Sequence, residues 1–186
     1  MTETKGTAVS SLAEFIKVRH GAENFGKWME ALTPAAKAVY KAAILPSDWY
    51  DLDSILAKPT ELMCKMFYDG AVEGAFECGK FSAEIALKGV YKLFVVLGSP
   101  KFIIGNASTI LPTYYRPSTM ETVKIEKNAT IIRITSFPNL DTYVENRLAG
   151  WMYKALETSG GKEISIKIPV ALSKGGPCTE FHVNWS

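Results

Sequence analysis

At 186 residues, 47% hydrophobic and 22% charged, the chain suits one globular domain with a sizeable core. Its 21 basic and 19 acidic residues contain no run of five like charges, which excludes a nucleic-acid-binding arm or an acidic tail. Three cysteines, Cys64, Cys78 and Cys178, form neither an even disulfide framework nor a CxxC pair, so a reducing cytoplasm is the expected setting. The polar start "MTETKGTAVSS" has no apolar stretch behind it of the kind a signal peptide needs. The most apolar run, residues 90–97, is broken by Lys92 and falls far short of the roughly 20 residues that span a bilayer, so no membrane span is expected. Residues 1–8 are expected to be a flexible N-terminus and residues 9–186 a single domain.

The first two-thirds of the chain reads as helical. "SSLAEFIKV" forms a first helix, and after Gly21 "AENFGKWMEAL" places Phe25, Trp28, Met29 and Leu32 at helical spacing. Thr33 caps "PAAKAVYKAAI", with Pro34 at the first helical position. "LPSDWYDLDS" is a loop or short extended segment, and Pro59 opens another helix. The longest helical signal covers about residues 70–97. Beside its apolar stripe runs a small one, Ala71, Gly74, Ala75, Cys78, Ser82 and Gly89, with Gly79 adjoining. Glycine costs a helix about 1 kcal/mol against alanine, so a glycine-rich face implies a close neighbour: a second helix of the monomer or dimer, or room for a ligand. "SPKFIIGNASTILPTYY" reads as one further helix ended by Pro112.

The period then changes to two. "TMETVKIEK" and "ATIIRITSF" form a hairpin about Asn128. A helix follows, lined on one side by Leu140, Val144, Arg147, Leu148, Trp151 and Ala155 and ended by Gly160 and Gly161. "KEISIKIPV" and "CTEFHVNW" form a second hairpin, with Phe181, Val183 and Trp185 facing inward on the last strand. Helices followed by hairpin, helix and hairpin give an α+β fold, the helical part packed on an antiparallel sheet.

The segment "NRLAGWMYKALETSGGKEISIKIPVALSKGGPCTEFHVNW" resembles the C-terminal half of 4-vinyl-reductase-like domains. The pieces "LTPAAKAVYKAAILPSDWY", "GVYKLFVVLGSPKFI", "YYRPSTM", "FPNLDTYVENRLAGW" and "FHVNW" look closer still to a bacterial family of myxobacterial paralogues. These groups are similar in fold to heme-nitric-oxide-binding domains and to Bet3-type vesicle-tethering subunits. The resemblance implies an apolar pocket enclosed by helices and sheet, a hydrophobic small-molecule ligand that is lipid-like or aromatic, and a homodimer. It equally admits a protein-interaction or scaffold subunit whose partner is a protein. Heme-nitric-oxide-binding domains require a helix-borne histidine and a Tyr-x-Ser-x-Arg motif. Here the histidines are His20 and His182, the latter on a predicted strand, and "YYRPS" carries those residue types in another order. Only Cys178 matches the cysteine pattern of the zinc-binding relatives. Neither heme nor zinc is therefore expected as a cofactor.

Cys178, Glu180 and His182 share one face of the last strand but spread over about 13 Å. They read as a polar strand face, since metal ligands must converge on one point at about 2.0–2.3 Å. Cys64 and Cys78 read as buried small hydrophobes. The candidate ligand-binding residues are Trp49, Tyr91, Phe94, Tyr115, Arg116, Arg147 and Trp151. The aromatics would line or support a pocket, and the guanidinium of Arg116 or Arg147 would hold an anionic head group. No P-loop, GxGxxG, GxSxG or HExxH motif is present, and the chain is read as a non-catalytic sensory or regulatory domain.

Overall fold

A glycine breaks the first helix where the sequence predicts a boundary. In the computed structural model, which describes residues 1–88 and 99–186, strand β1 (Glu3–Lys5) runs straight into helix α1 (Gly6–Ala31). Gly21 interrupts α1 with φ 83°, a left-handed conformation that glycine adopts without steric cost. Ahead of the kink, Ala8, Leu12 and Phe15 bury one face at i, i+4 and i+7. Helix α2 (Pro34–Lys41) starts as expected: the Thr33 hydroxyl accepts the Ala36 N–H at 3.3 Å. Strand β2 (Trp49–Asp51) and a π-helical turn (Asp53–Ala57) lead into α3 (Lys58–Phe67).

Helix α4 (Glu73–Lys88) carries the described part of the long glycine-rich segment. Two short helices follow, α5 (Pro100–Gly105), capped by Ser99, and α6 (Ala107–Tyr114). The sequence had suggested one helix ended by Pro112; instead the chain turns at Asn106, and Pro112 lies inside α6. Strands β3 (Tyr115–Arg116), β4 (Thr119–Ile125) and β5 (Ala129–Ser136) precede α7 (Thr142–Thr158). Asp141 caps α7 by accepting the Val144 N–H at 2.7 Å. Strand β6 (Ser165–Val170), a 3₁₀ turn (Leu172–Lys174) and β7 (Thr179–Asn184) close the fold.

The strands form two antiparallel sheets, β4-β5-β7-β6 and a small β2-β1-β3. The large sheet is the expected pair of hairpins, joined through β5 and β7. The small one corrects the reading of residues 1–8 as a flexible N-terminus. β1 is its central strand, pairing Thr4 with Tyr50 on one side and Tyr115 on the other, and Thr4 is fully buried. Alternation too short to register over three residues is supplied here by partners about 45 and 110 positions away.

The core lies between the helices and the inner face of the large sheet, where Ile132, Ile134, Phe181 and Val183 are fully buried. Each such side chain contributes about 1.5–3 kcal/mol. On the outer face, Glu180 accepts from Arg133 at 2.6 Å and pairs with His182 at 3.0 Å. The His182 hydrogen bond and then the Arg133 bonds hold the Glu180 carboxyl below its usual range. This is the polar strand face read from the sequence.

His20 sits on α1 in an aromatic cage. Its ring stacks on Phe67 at 4.4 Å and meets the edges of Tyr68 and Phe15, while Nε2 is buried without a hydrogen-bond partner. Burial, aided by Arg19, lowers its pKa. The unfolded chain therefore takes up this proton near pH 6.5 while the folded chain still resists it. Stability is expected to fall as the pH drops below about 6.5 and to level off below the folded-state pKa. Urea midpoints at pH 7.5 and 5.5 check this. The His20→Phe variant should lose less on acidification than the wild type, and an unchanged pH slope would remove His20 as the cause.

Candidate functional site

Helices α4 and α7 make the most extensive helix pair in the molecule. Two glycines make the crossing possible. A Cβ on Gly79 would lie 2.0 Å from the Arg147 carbonyl oxygen, and one on Gly150 would lie 1.9 Å from that of Phe76. The small stripe of α4 thus serves close packing within the chain, the first of the two uses its composition allowed. Past the crossing, the same stripe borders a cavity of about 60 Å³. Gly79 and Ser82 of α4 face it, with Ile104 of α5, Tyr115 of β3 and Arg147 and Trp151 of α7.

Helix α7 carries two buried charged residues that face different layers. Glu145 is 1% exposed and reaches the β6–β7 connection. Its carboxylate accepts from the Thr179 hydroxyl at 2.5 Å, from the Ser173 N–H at 3.3 Å and from the Ser173 hydroxyl. Arg147 is 2% exposed and points into the helical layer. Its guanidinium donates to Thr60 Oγ1 at 3.1 Å, the Ala8 carbonyl at 3.0 Å and Ser11 Oγ at 3.4 Å. The Ser11 hydroxyl in turn lies 3.0 Å from Ser82 Oγ. The groups that act electrostatically on Arg147 are Cys78, Tyr115, Tyr40 and Cys64. Burial pushes the Cys64 thiol up to about 12 and raises Cys78, Tyr115 and Tyr40 as well. All four are neutral near pH 7, and among the described residues no carboxylate lies within ion-pair distance of Arg147.

Of the candidates drawn from the sequence, Tyr115, Arg147 and Trp151 line this cavity together. Trp49 and Arg116 meet elsewhere, on the small sheet. The Arg116 guanidinium lies 4.0 Å from the Trp49 ring centroid and its Nε donates to Glu3 at 2.7 Å, while Lys5 covers the same indole at 4.4 Å. Arg116 is exposed and already paired, so it contributes no head-group site to the cavity. Tyr91 and Phe94 lie outside the described residues. Sequence reasoning missed Ile104 and Met120 in the lining. Neither carries a signal beyond apolarity, and only the chain path brings them there. Ser82 was visible as a member of the small stripe and Gly79 as a member of the apolar stripe beside it, but neither as a cavity wall.

Compared with solved structures, the chain has the H-NOX fold, mixed α+β with antiparallel sheets. An H-NOX protein from S. oneidensis in the Fe(II) ligation state, a triple mutant, superposes with a TM-score of 0.77 at 11% identity, covering 98% of this chain and 96% of that one. The S. oneidensis protein in the Fe(II)NO ligation state gives 0.76 at 12% identity, covering 98% and 99%. An Fe(II) unliganded H-NOX protein from K. algicida gives 0.72 at 11% identity, covering 98% and 96%. No family model and no curated protein matches the chain. At these identities the likeness is one of fold.

The neighbours correct one expectation. Heme had been set aside because the histidines and the "YYRPS" stretch did not fit a heme motif, yet the structures that share this fold over its whole length are proteins solved in Fe(II) and Fe(II)NO states. Among the described residues, the cavity is faced by the phenols Tyr114 and Tyr115 and the thioethers Met120 and Met152, residue types able to ligate heme iron, but by no histidine or cysteine. Among the described residues no group of three or more His, Cys, Asp or Glu is arranged to hold a metal ion, and no helix is long and apolar enough to cross a membrane.

Proposed function

We propose that this chain is a small-molecule-sensing module that binds its ligand in the cavity between α4, α5–α6 and α7. The observation that carries the reading is that cavity: walls that are almost wholly apolar, one buried cation, and a position at the junction of the helical layer with α7. Pockets of this kind, apolar with few convergent polar groups, are the usual form of a ligand site. The H-NOX fold of the neighbours supports a sensory role by analogy. A ligand there would press on α7, whose Glu145 is tied to the β6–β7 connection, so occupancy has a direct route to the sheet.

The volume narrows the ligand. Sites for drug-sized molecules measure about 300–1,000 Å³, whereas about 60 Å³ suits a small molecule rather than a long acyl chain. The finer resemblance to 4-vinyl-reductase-like domains, carried by "NRLAGWMYKALETSGGKEISIKIPVALSKGGPCTEFHVNW", belongs to this proposal. A cytoplasmic homodimer is the setting we propose with it.

Six methionines give a direct test. Met120 and Met152 line the cavity, while Met1 and Met66 are exposed. With methyl-¹³C-methionine protein, titration with 1-butanol or butyrate is expected to shift the Met120 and Met152 resonances and leave Met1 and Met66 in place. Hemin is titrated in parallel, with a Soret band as its readout. If no probe moves Met120 or Met152 and none is retained in native mass spectrometry, the cavity is not a binding site.

A further inference from the structure

Among the described residues, the charge on Arg147 has no carboxylate within ion-pair distance. A guanidinium offers five N–H donors, and the three contacts it makes here all go to neutral oxygens. The four groups that act on it electrostatically are two thiols and two phenols held protonated by burial. Glu145, two positions away on the same helix, faces the opposite layer and is occupied by Ser173 and Thr179. Burying an ion costs several kcal/mol unless a partner of opposite sign offsets it. A methionine or leucine would bridge α1, α3 and α7 without that cost. Arg147 also lines a cavity whose walls are mostly apolar, with Ser82 and the phenols of Tyr114 and Tyr115 among the polar residues there.

We infer that the cavity takes a short-chain carboxylate, its head group on the Arg147 guanidinium and its tail against Ile104, Tyr115 and Trp151. This rests on the ligand-binding reading above and names the chemistry of its ligand. Guanidinium and carboxylate match as a charge-assisted pair, and the pair cancels the buried charge. The size agrees. A single water needs at least about 10–15 Å³ of such a cavity, so about 60 Å³ admits roughly four to six heavy atoms, the size range of acetate to butyrate. Ser82, which lines the cavity, lies 3.0 Å from the Ser11 hydroxyl, and that hydroxyl accepts from the guanidinium at 3.4 Å.

The test compares butyrate, 1-butanol and n-butylamine at pH 7, followed by the Met120 and Met152 methyl resonances. Butyrate is expected to bind at least tenfold more tightly than butanol, and butylamine most weakly. In Arg147→Met the preference for butyrate over butanol should shrink to within twofold while butanol still binds. Arg147→Lys should keep part of the preference. If Arg147→Met does not fold, the wild-type series and Arg147→Lys decide. Butanol binding as well as butyrate, or a preference that survives Arg147→Met, overturns the carboxylate assignment and leaves the cavity as a ligand site. No shift with any of the three overturns both readings. Stoichiometric hemin capture with a Soret band, in a protein that does not prefer butyrate to butanol, also overturns the assignment.

Discussion

Replacing Gly150 with alanine is expected to destabilise the protein by about 3 kcal/mol or more. The new Cβ would stand 1.9 Å from the Phe76 carbonyl oxygen and 2.8 Å from its carbon. Both are backbone atoms of α4, so no side-chain rotation relieves the contact, and α4 and α7 must separate. Overpacking in a core costs typically about 1–3 kcal/mol and more where backbone has to move. The gain of about 1 kcal/mol in helix propensity on going from glycine to alanine offsets only part of this. For a chain of this size the midpoint of thermal unfolding should drop by roughly 6–12 °C. Gly79→Ala strikes the Arg147 carbonyl at 2.0 Å from the other side of the same crossing and should behave alike. The two should be markedly sub-additive, because once the helices are apart the second methyl meets less. Gly26→Ala is the control: it is exposed in α1 with nothing within 4 Å of its Cβ, and should be neutral or stabilising by up to about 1 kcal/mol. Equal effects at Gly26 and Gly150 would dismiss the close crossing.

Glu145→Ala should cost about 3–4 kcal/mol. The carboxylate accepts from the Thr179 hydroxyl and from both Ser173 donors. Removing it leaves the buried Thr179 hydroxyl unsatisfied at about 1–3 kcal/mol, takes the partner from the half-buried Ser173 donors, and leaves a void where the side chain stood. Thr179 also accepts the Leu172 N–H at 2.9 Å, so losing its anchor loosens the 3₁₀ turn between β6 and β7. Glu145→Gln keeps the shape but offers one acceptor oxygen in place of two, and should lose about half as much. Urea unfolding measures the difference. Amide exchange at Leu172 and Ser173 should quicken in Glu145→Ala under native conditions, a local effect that general destabilisation would not confine to this turn. Exchange unchanged at those amides would show that Glu145 does not hold the connection.

Much of the fold was legible because its signals are local. The break at Gly21, the Thr33 cap, the two hairpins and the inward Phe181, Val183 and Trp185 each follow from a residue's conformational preference or a short period. Arg147 was legible as a charge on an apolar helix face, and its burial is a consequence of that position. The small sheet was not legible. Three residues of strand carry no period of their own, and β1 exists through β2 and β3. Heme as a cofactor class was misjudged from motifs, and the fold, compared as a whole, corrected it.

Cys178, Glu180 and His182 show where sequence reasoning suffices: strand geometry alone denies them a common point, and Glu180 pairs laterally with Arg133 and with His182 on the sheet's outer face. The cavity shows where it does not. Tyr115 and Trp151 stand in the chain with nothing to distinguish them from Trp49, and only Arg147 is marked out, by its place on an apolar helix face. Tyr115, Arg147 and Trp151 converge because Gly79 and Gly150 let α4 and α7 touch and because the turn at Asn106 folds α5 and α6 over the gap. Composition and periodicity by themselves determined the class of fold and which faces are apolar. Which polar groups those faces trap, and whether a charge is left there without a partner, only the tertiary structure decided, because that depends on contacts between residues up to 139 positions apart.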